Sequence, residues 1–378
     1  MGWRYLVERL KGDGTAELIA PDLPFEDVEI TKTLSGPARI TGKLPVGTPG
    51  LFDDDGKPML REWSAAIYAM PDDSADTIYA AGILAAPGYN GDHFAVDCIG
   101  FAGYPQGQPY TSSWFGVKVD PLDVVRHIWG HLQDQPRGNI GMQLDATTSP
   151  IRIGEELEVV SFTTGLGENV SFEAGPVKLN YWTSTDLGKV IDDLARDTPF
   201  DYWEEHHVGD DGAISHRLGL AYPRRGRRRD DLRFFVGENI ALEPELLADG
   251  DEFANELLGL GAGEGRDMIH TVMPMEDDRL RRVGVVSDKT SRSQKAIDDF
   301  TRSEISRRMF GQTVEEVTVF EHTNAPLGSW VEGDEINIRG AAPWLDLDIW
   351  CRVVATTVRP ADPLRATLTL VRSDNLGA

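Results

Sequence analysis

What limits this chain first is a short alternation: apolar and polar residues trade places at every second position in brief runs, each broken by Gly, Pro or Asp. Thr367, Leu368, Thr369 and Leu370 show it in its plainest form. A period of two fits a strand with one face on a core and the other on solvent, and does not fit a helix. The same pattern recurs from the start to about residue 115. Val28, Ile30 and Ile40 lie in two runs around Leu34, Ser35, Gly36 and Pro37. Ala65 to Met70 and Thr77 to Leu84 flank Pro71, Asp72, Asp73 and Ser74, and Phe94, Val96, Cys98 and Phe101 follow Asn90, Gly91 and Asp92. Short strands with polar turns between them predict an antiparallel β-domain over 1–117.

The segment 118–235 reads differently, as mixed α/β. Asp120 suits a cap and Pro121 the first helical position, and Leu122, Val125, Trp129 and Leu132 recur at helical spacing. A second helix follows from Leu187, Val190, Ile191, Leu194 and Ala195, ending at Thr198 and Pro199. Between them, Ile151 to Phe172 is polar and apolar by turns; after them, Phe200, Tyr202 and Trp203 begin a hairpin across Asp210, Asp211 and Gly212. The run Arg224, Arg225, Gly226, Arg227, Arg228, Arg229 has two readings: a solvated loop balanced by Asp230 and Asp231, or a docking loop for an acidic partner subunit.

The remainder, 236–378, returns to strands. Glu256 to Leu260 and Met268 to Met273 flank a glycine-rich turn, and Val317 to Phe320, Glu335 to Arg339, Ile349 to Val358 and Arg365 to Arg372 close the chain. Residues 288–310 contain no Pro and no Gly, which predicts a mostly exposed helical insertion. The fold class is therefore β-rich α+β, with a β-domain at each end of an α/β middle.

Charge and motifs narrow the function by exclusion. The formal net charge of −25 argues against a surface built to grip a phosphate backbone. Cys98 and Cys351 sit in alternating apolar stretches and read as reduced, buried thiols. No apolar run is long enough for a bilayer span and the N-terminus lacks a signal-peptide core, so assembly in a cytoplasm is expected. Gly261, Gly263 and Gly265 miss the last glycine of a dinucleotide loop and precede a strand, so a tight turn is the better account. His127 and His131 have a zinc-like spacing with no third ligand in view, and read as packing residues. His206, His207 and His216, near Glu204, Glu205, Asp210 and Asp211, read as an exposed hairpin. There is no nucleophile elbow and no P-loop. No catalytic, cofactor-binding or metal-binding residue is assigned, and no enzyme activity is expected.

Four stretches carry a family likeness: Leu34 to Pro45 (LSGPARITGKLP), Gly82 to Tyr110 with FAVDCIGFAGYPQGQPY, Leu258 to Ile269 (LGLGAGEGRDMI) and Val285 to Gln294 (VVSDKTSRSQ). In this order the chain resembles the minor tail proteins that form the tail-tip, or baseplate, hub of long-tailed actinobacteriophages. The resemblance implies two tube-like antiparallel β-barrel domains, with the helical insertion in the second. It also implies a homotrimer whose six barrels form a ring matching the tail tube. The implied role is a structural virion protein that joins the tail tube, distal tail protein, tape-measure protein and other minor tail proteins. DNA would meet it only in transit during ejection, past an acidic lumen, without stable membrane insertion. Because the sequence stops directly after its last strand, host binding and wall cleavage are expected of other proteins. Two rivals stand beside this: a carbohydrate-binding or carbohydrate-cleaving β-protein, marked by exposed tryptophans beside two carboxylates in an open cleft, and a Rossmann-type enzyme resting on the glycine run alone.

Overall fold

In the computed structural model of the protein, strands from both ends of the chain share one continuous sheet of 13 strands. The structure describes residues 2–48, 52, 56–72, 77–154, 156, 158–163, 169–183, 185–241, 246–248, 253–263, 265–275, 278–288, 291, 293–309, 312–342 and 345–373.

The strand Leu345–Val358 unites the two ends. Its first part pairs with Glu335–Ala342, from Leu345 opposite Ala342 to Arg352 opposite Glu335. Its last residues pair with the N-terminal strand Glu26–Thr33, Ala355 opposite Thr33 and Val358 opposite Ile30. Between Val353 and Ala355 the register along its other edge, against Arg365–Arg372, shifts by a bulge. A bulge bends and twists a strand, which lets one strand serve two β units in turn. The path of the sheet runs from Phe234–Phe235 to Ala16–Ala20, and among the described residues no ring of strands closes.

Each β unit has its own core. Val7, Ile30, Ile40, Leu44, Ile67 and Cys98 fill the N-terminal one; Phe234, Ile336, Ile338, Cys351, Val353 and Leu368 fill the C-terminal one. Both cysteines are thus buried, in different cores. The strand Ala65–Pro71 is buried along nearly its whole length because both its faces are covered. Ala65, Ile67 and Ala69 face the N-terminal core, while Ala66, Tyr68 and Met70 face the helices of the middle segment.

Those helices are α1 (Pro121–Gln133) and α2 (Leu187–Asp197). The predicted stripe of α1, Leu122, Val125, Trp129 and Leu132, is buried, and Ile128 joins it inside. Asp120 caps it, accepting from Leu122 N at 3.0 Å, and also receives Ser149 N at 2.6 Å and Ser149 Oγ at 2.9 Å. Asp186 caps α2 through Gly188 N and Lys189 N. The predicted hairpin forms as Asp201–Val208 against Ile214–Ala221. Strand Ser113–Gly116 pairs with Val177–Asn180, which carries the middle sheet material across residue 117. The stretch 151–172 contains the hairpin Glu158–Thr163 with Asn169–Ala174.

Helix α3 (Gln294–Met309) forms inside the predicted 288–310 insertion. It packs on a separate three-stranded sheet, in which Glu256–Leu260 lies between antiparallel His270–Pro274 and parallel Val283–Ser287. Leu257, Val286 and Ile305 are buried between helix and sheet. The glycine-rich turn has Gly263 at φ +111, where an added Cβ would lie 2.7 Å from Asp267 O. That is a turn geometry, and it leads into a strand. No described helix is long and apolar enough to cross a membrane.

Candidate functional site

A dense grouping of charged and titratable side chains lies where the middle hairpin meets both β units. It starts from strand Asp201–Val208, whose alternation sends Tyr202, Glu204 and His206 inward and Trp203, Glu205 and His207 outward. Tyr202 joins the helical core. Glu204 and His206 follow it inside because the period requires it.

Glu204 ties the hairpin to the N-terminal unit. Its Oε1 accepts from Ala38 N at 2.9 Å and its Oε2 from Ala102 N at 2.8 Å. Burial raises its pKa to about 7, against the lowering effect of those backbone donors. Both oxygens are occupied by the main chain, so the carboxyl fastens two loops and is poorly placed to act as a base.

The histidines expected on an exposed hairpin are inside instead. His206 and His216 are 7% and 5% exposed, and their Nδ1 atoms lie 2.9 Å apart, so one ring donates and the other accepts. His216 stacks on Phe101 with centroids 4.1 Å apart. Burial lowers both pKa values, that of His216 to about 4. The signal for this was present in the alternation from Tyr202; the polar character of the residues hid it. His207 points outward and is exposed, beside Glu205 at 3.9 Å.

The arginine run is not solvated throughout: Arg229 is buried and Arg225 half-buried, while Arg227 and Arg228 are exposed. Asp201, at the start of the hairpin, receives two bonds from the Arg352 guanidinium on the long strand and one from Arg225 N at 2.6 Å. Arg352 also donates to Gly333 O at 3.1 Å and Arg225 O at 3.0 Å. Arg225 lies over the Trp203 ring at 4.3 Å and 3.9 Å from Glu332, which Lys32 of the N-terminal unit reaches at 3.6 Å. Arg229 grips Asp231 with two nitrogens and Asp334 with a third at 3.0 Å. Arg227 N donates to Asp334 Oδ1 at 2.9 Å. Arg228, by contrast, is exposed, stacked on Trp350 at 3.6 Å and near Asp230. Gly226 makes the close approach possible: it sits at φ +87, and a Cβ there would lie 2.2 Å from Gly333 C.

A cavity of about 180 Å³ remains at this junction, lined by Lys32, Trp203, Glu204, His207, Arg225 and Glu332 among others. Its charges answer one another: Lys32 and Arg225 both reach Glu332. The arrangement is suited to holding three parts of the chain in fixed relation. His127 and His131 are held elsewhere, on α1: His127 Nε2 lies 2.7 Å from Tyr110 Oη, and His131 Nε2 lies 2.9 Å from Thr111 Oγ1. Among the described residues no group of three or more His, Cys, Asp or Glu side chains could hold a metal ion. An open cleft of about 900 Å³ contains Trp63, 51% exposed, but only one carboxylate, Glu62, lines it among the described residues. The carbohydrate-cleaving reading asked for two.

No family model matches the sequence, and no curated protein matches it. Similarity appears in the fold. The 43 kDa tail protein of prophage MuSo2 from Shewanella oneidensis superposes with a TM-score of 0.58 at 9% identity, covering 98% of each chain. The tail protein from Neisseria meningitidis MC58 gives 0.54 at 14% identity, over 99% of this chain and 97% of that one. Prophage tail protein gp18 from Listeria monocytogenes EGD-e gives 0.55 at 10% identity, over 98% and 95%. The agreement runs through both β units and the middle segment, so the chain has, over nearly its whole length, the fold found in these phage tail proteins.

Proposed function

We propose that this protein is a non-catalytic structural subunit of a phage tail. Three copies form a hub ring at the tail tip of a long-tailed phage infecting actinobacteria. The ring joins the tail tube, the distal tail protein, the end of the tape-measure protein and other minor tail proteins, and it forms part of the channel through which DNA leaves. The two β units, joined through their shared sheet, form the wall of that ring, and the excess of acidic side chains keeps passing DNA mobile by repulsion.

The observation that carries this reading is the end-to-end agreement in fold with tail proteins of matching length. The open path of the large sheet supports it. Its terminal strand Ala16–Ala20 offers an edge that a neighbouring copy can complete, and head-to-tail contacts of this kind close into rings. The actinobacterial host rests on the four sequence stretches alone.

Electron cryo-microscopy of the assembled particle tests the proposal. The chain is expected on the tail axis, in three copies, below the tail tube. A position in the head or along the tail wall, or any other copy number on the axis, overturns it.

A further inference from the structure

Many arginines of this acidic molecule rest on carboxylates, among them Arg39 on Asp97, Arg126 on Asp123, Arg281 on Glu256 and Arg359 on Glu29. The 900 Å³ cleft departs from that pattern. It opens between the end of strand Trp3–Leu10, residues 61–64, the loop after the short helix Phe101–Gly103, and the loop after α1. Arg9, Lys11, Arg61 and Arg137 line it against the single carboxylate of Glu62. Lys11 is answered by Glu17 at 3.6 Å. Arg9, Arg61 and Arg137 have no carboxylate partner among the described residues. One Arg9 nitrogen lies 3.8 Å from the Met59 sulfur, a weak acceptor, and its buried Nε has none.

Three arginines without a carboxylate partner lining one cleft leave a positive spot on a molecule whose 62 acidic side chains outnumber its 37 basic ones. The backbone there is also held out of its ordinary range. Trp63 and Arg137 lie at φ +53 and φ +62, a region costly for side chains of this size, and such positions gather at ligand clamps.

We propose that this cleft binds a short carboxylate-rich segment of another polypeptide, its acidic side chains on the Arg9, Arg61 and Arg137 guanidiniums and a neighbouring apolar side chain on the Trp63 ring. Guanidinium forks match carboxylates in two-point geometry. A short acidic segment feels mainly this local charge. A long, uniformly charged nucleic acid feels the whole net charge of −25 and is repelled. The proposal goes beyond the reading as a tail subunit and stands or falls separately from it.

Fluorescence anisotropy with a labelled glutamate-rich peptide carrying one tyrosine tests it, with a lysine-rich peptide and an oligothymidylate as controls. Saturable binding of the acidic peptide is expected at low salt, weakening as salt is raised. Arg61 and Arg137 are exposed, so Arg61→Glu with Arg137→Glu is expected to keep the fold and lose affinity by about tenfold or more. If that double variant does not fold, Arg61→Gln carries the same comparison, with a loss of about threefold. Absence of saturable binding, unchanged affinity in the folded variant, or tighter binding of the oligothymidylate each overturns the proposal.

Discussion

Arg352 and Asp201 stand 151 positions apart and form a two-point buried ion pair, their side chains 8% and 9% exposed. The pair joins the long strand shared by both β units to the first residue of the middle hairpin. Truncating either partner strands the other charge in a buried site. Arg352→Ala or Asp201→Ala is expected to cost about 3–5 kcal/mol in urea unfolding. The double variant is expected to cost clearly less than the sum of the two. Strict additivity would show that the pair is not coupled.

Neighbouring arginines in the run are expected to differ sharply. Arg229 bonds Asp231, Asp334 and Ser329 O, whereas Arg228 is exposed and stacks on Trp350. Arg229→Ala should lower stability by about 3 kcal/mol, and Arg228→Ala by less than about 1 kcal/mol. Equal losses in chemical denaturation would return the whole run to the status of a solvated loop.

The buried histidines predict an acid limb to the stability curve. The folded pKa of His216 is lowered to about 4 from an ordinary 6.5, and that of His206 is lowered as well, chiefly by burial. Between those values the unfolded chain binds more protons than the folded one. Stability is therefore present above about pH 6.5 and is lost as pH falls toward 4, by about 3 kcal/mol for His216. Glu204 works oppositely: with its pKa raised to about 7 from 4.5, the folded state holds the extra proton, and stability declines as pH rises through that window. Thermal midpoints taken across this range should show a shallower rise with pH in His216→Gln and a steeper one in Glu204→Gln, whose opposing contribution is removed. An unchanged acid slope in His216→Gln would falsify the assignment.

Asp120 has two duties, capping α1 and holding Ser149. Asp120→Ala is expected to cost about 2 kcal/mol, more than an isolated cap, because Ser149 N is left buried without an acceptor. Asp120→Asn should recover part of the loss. A loss below about 0.5 kcal/mol, the low end for a cap alone, would show that the Ser149 bonds contribute nothing.

Where the signal was local, sequence reasoning placed the elements. The cap and stripe of α1, the hairpin after Phe200 and the strand Arg365–Arg372 all depend on residues within a few positions of one another. The junction was not legible in the same way. Glu204 looked like a surface residue because its hydrogen-bond partners, Ala38 and Ala102, come from distant segments, and His206 because its polar character masked its inward position opposite His216. The arginine run looked like a loop because Asp201, Glu332 and Asp334 are distant in sequence. Likewise nothing local to Leu345–Val358 says that it changes partner after a bulge.

By itself the sequence determined the β-rich character, the capped helices of the middle segment and the acidic balance, since period, cap chemistry and charge are properties of neighbouring residues and of sums. The tertiary structure alone decided that the two end regions share a sheet, that Arg225 and Arg229 turn inward, and that three unanswered guanidiniums meet at one cleft. Those outcomes depend on which distant backbone supplies the missing donor or charge, and only folding brings the two together.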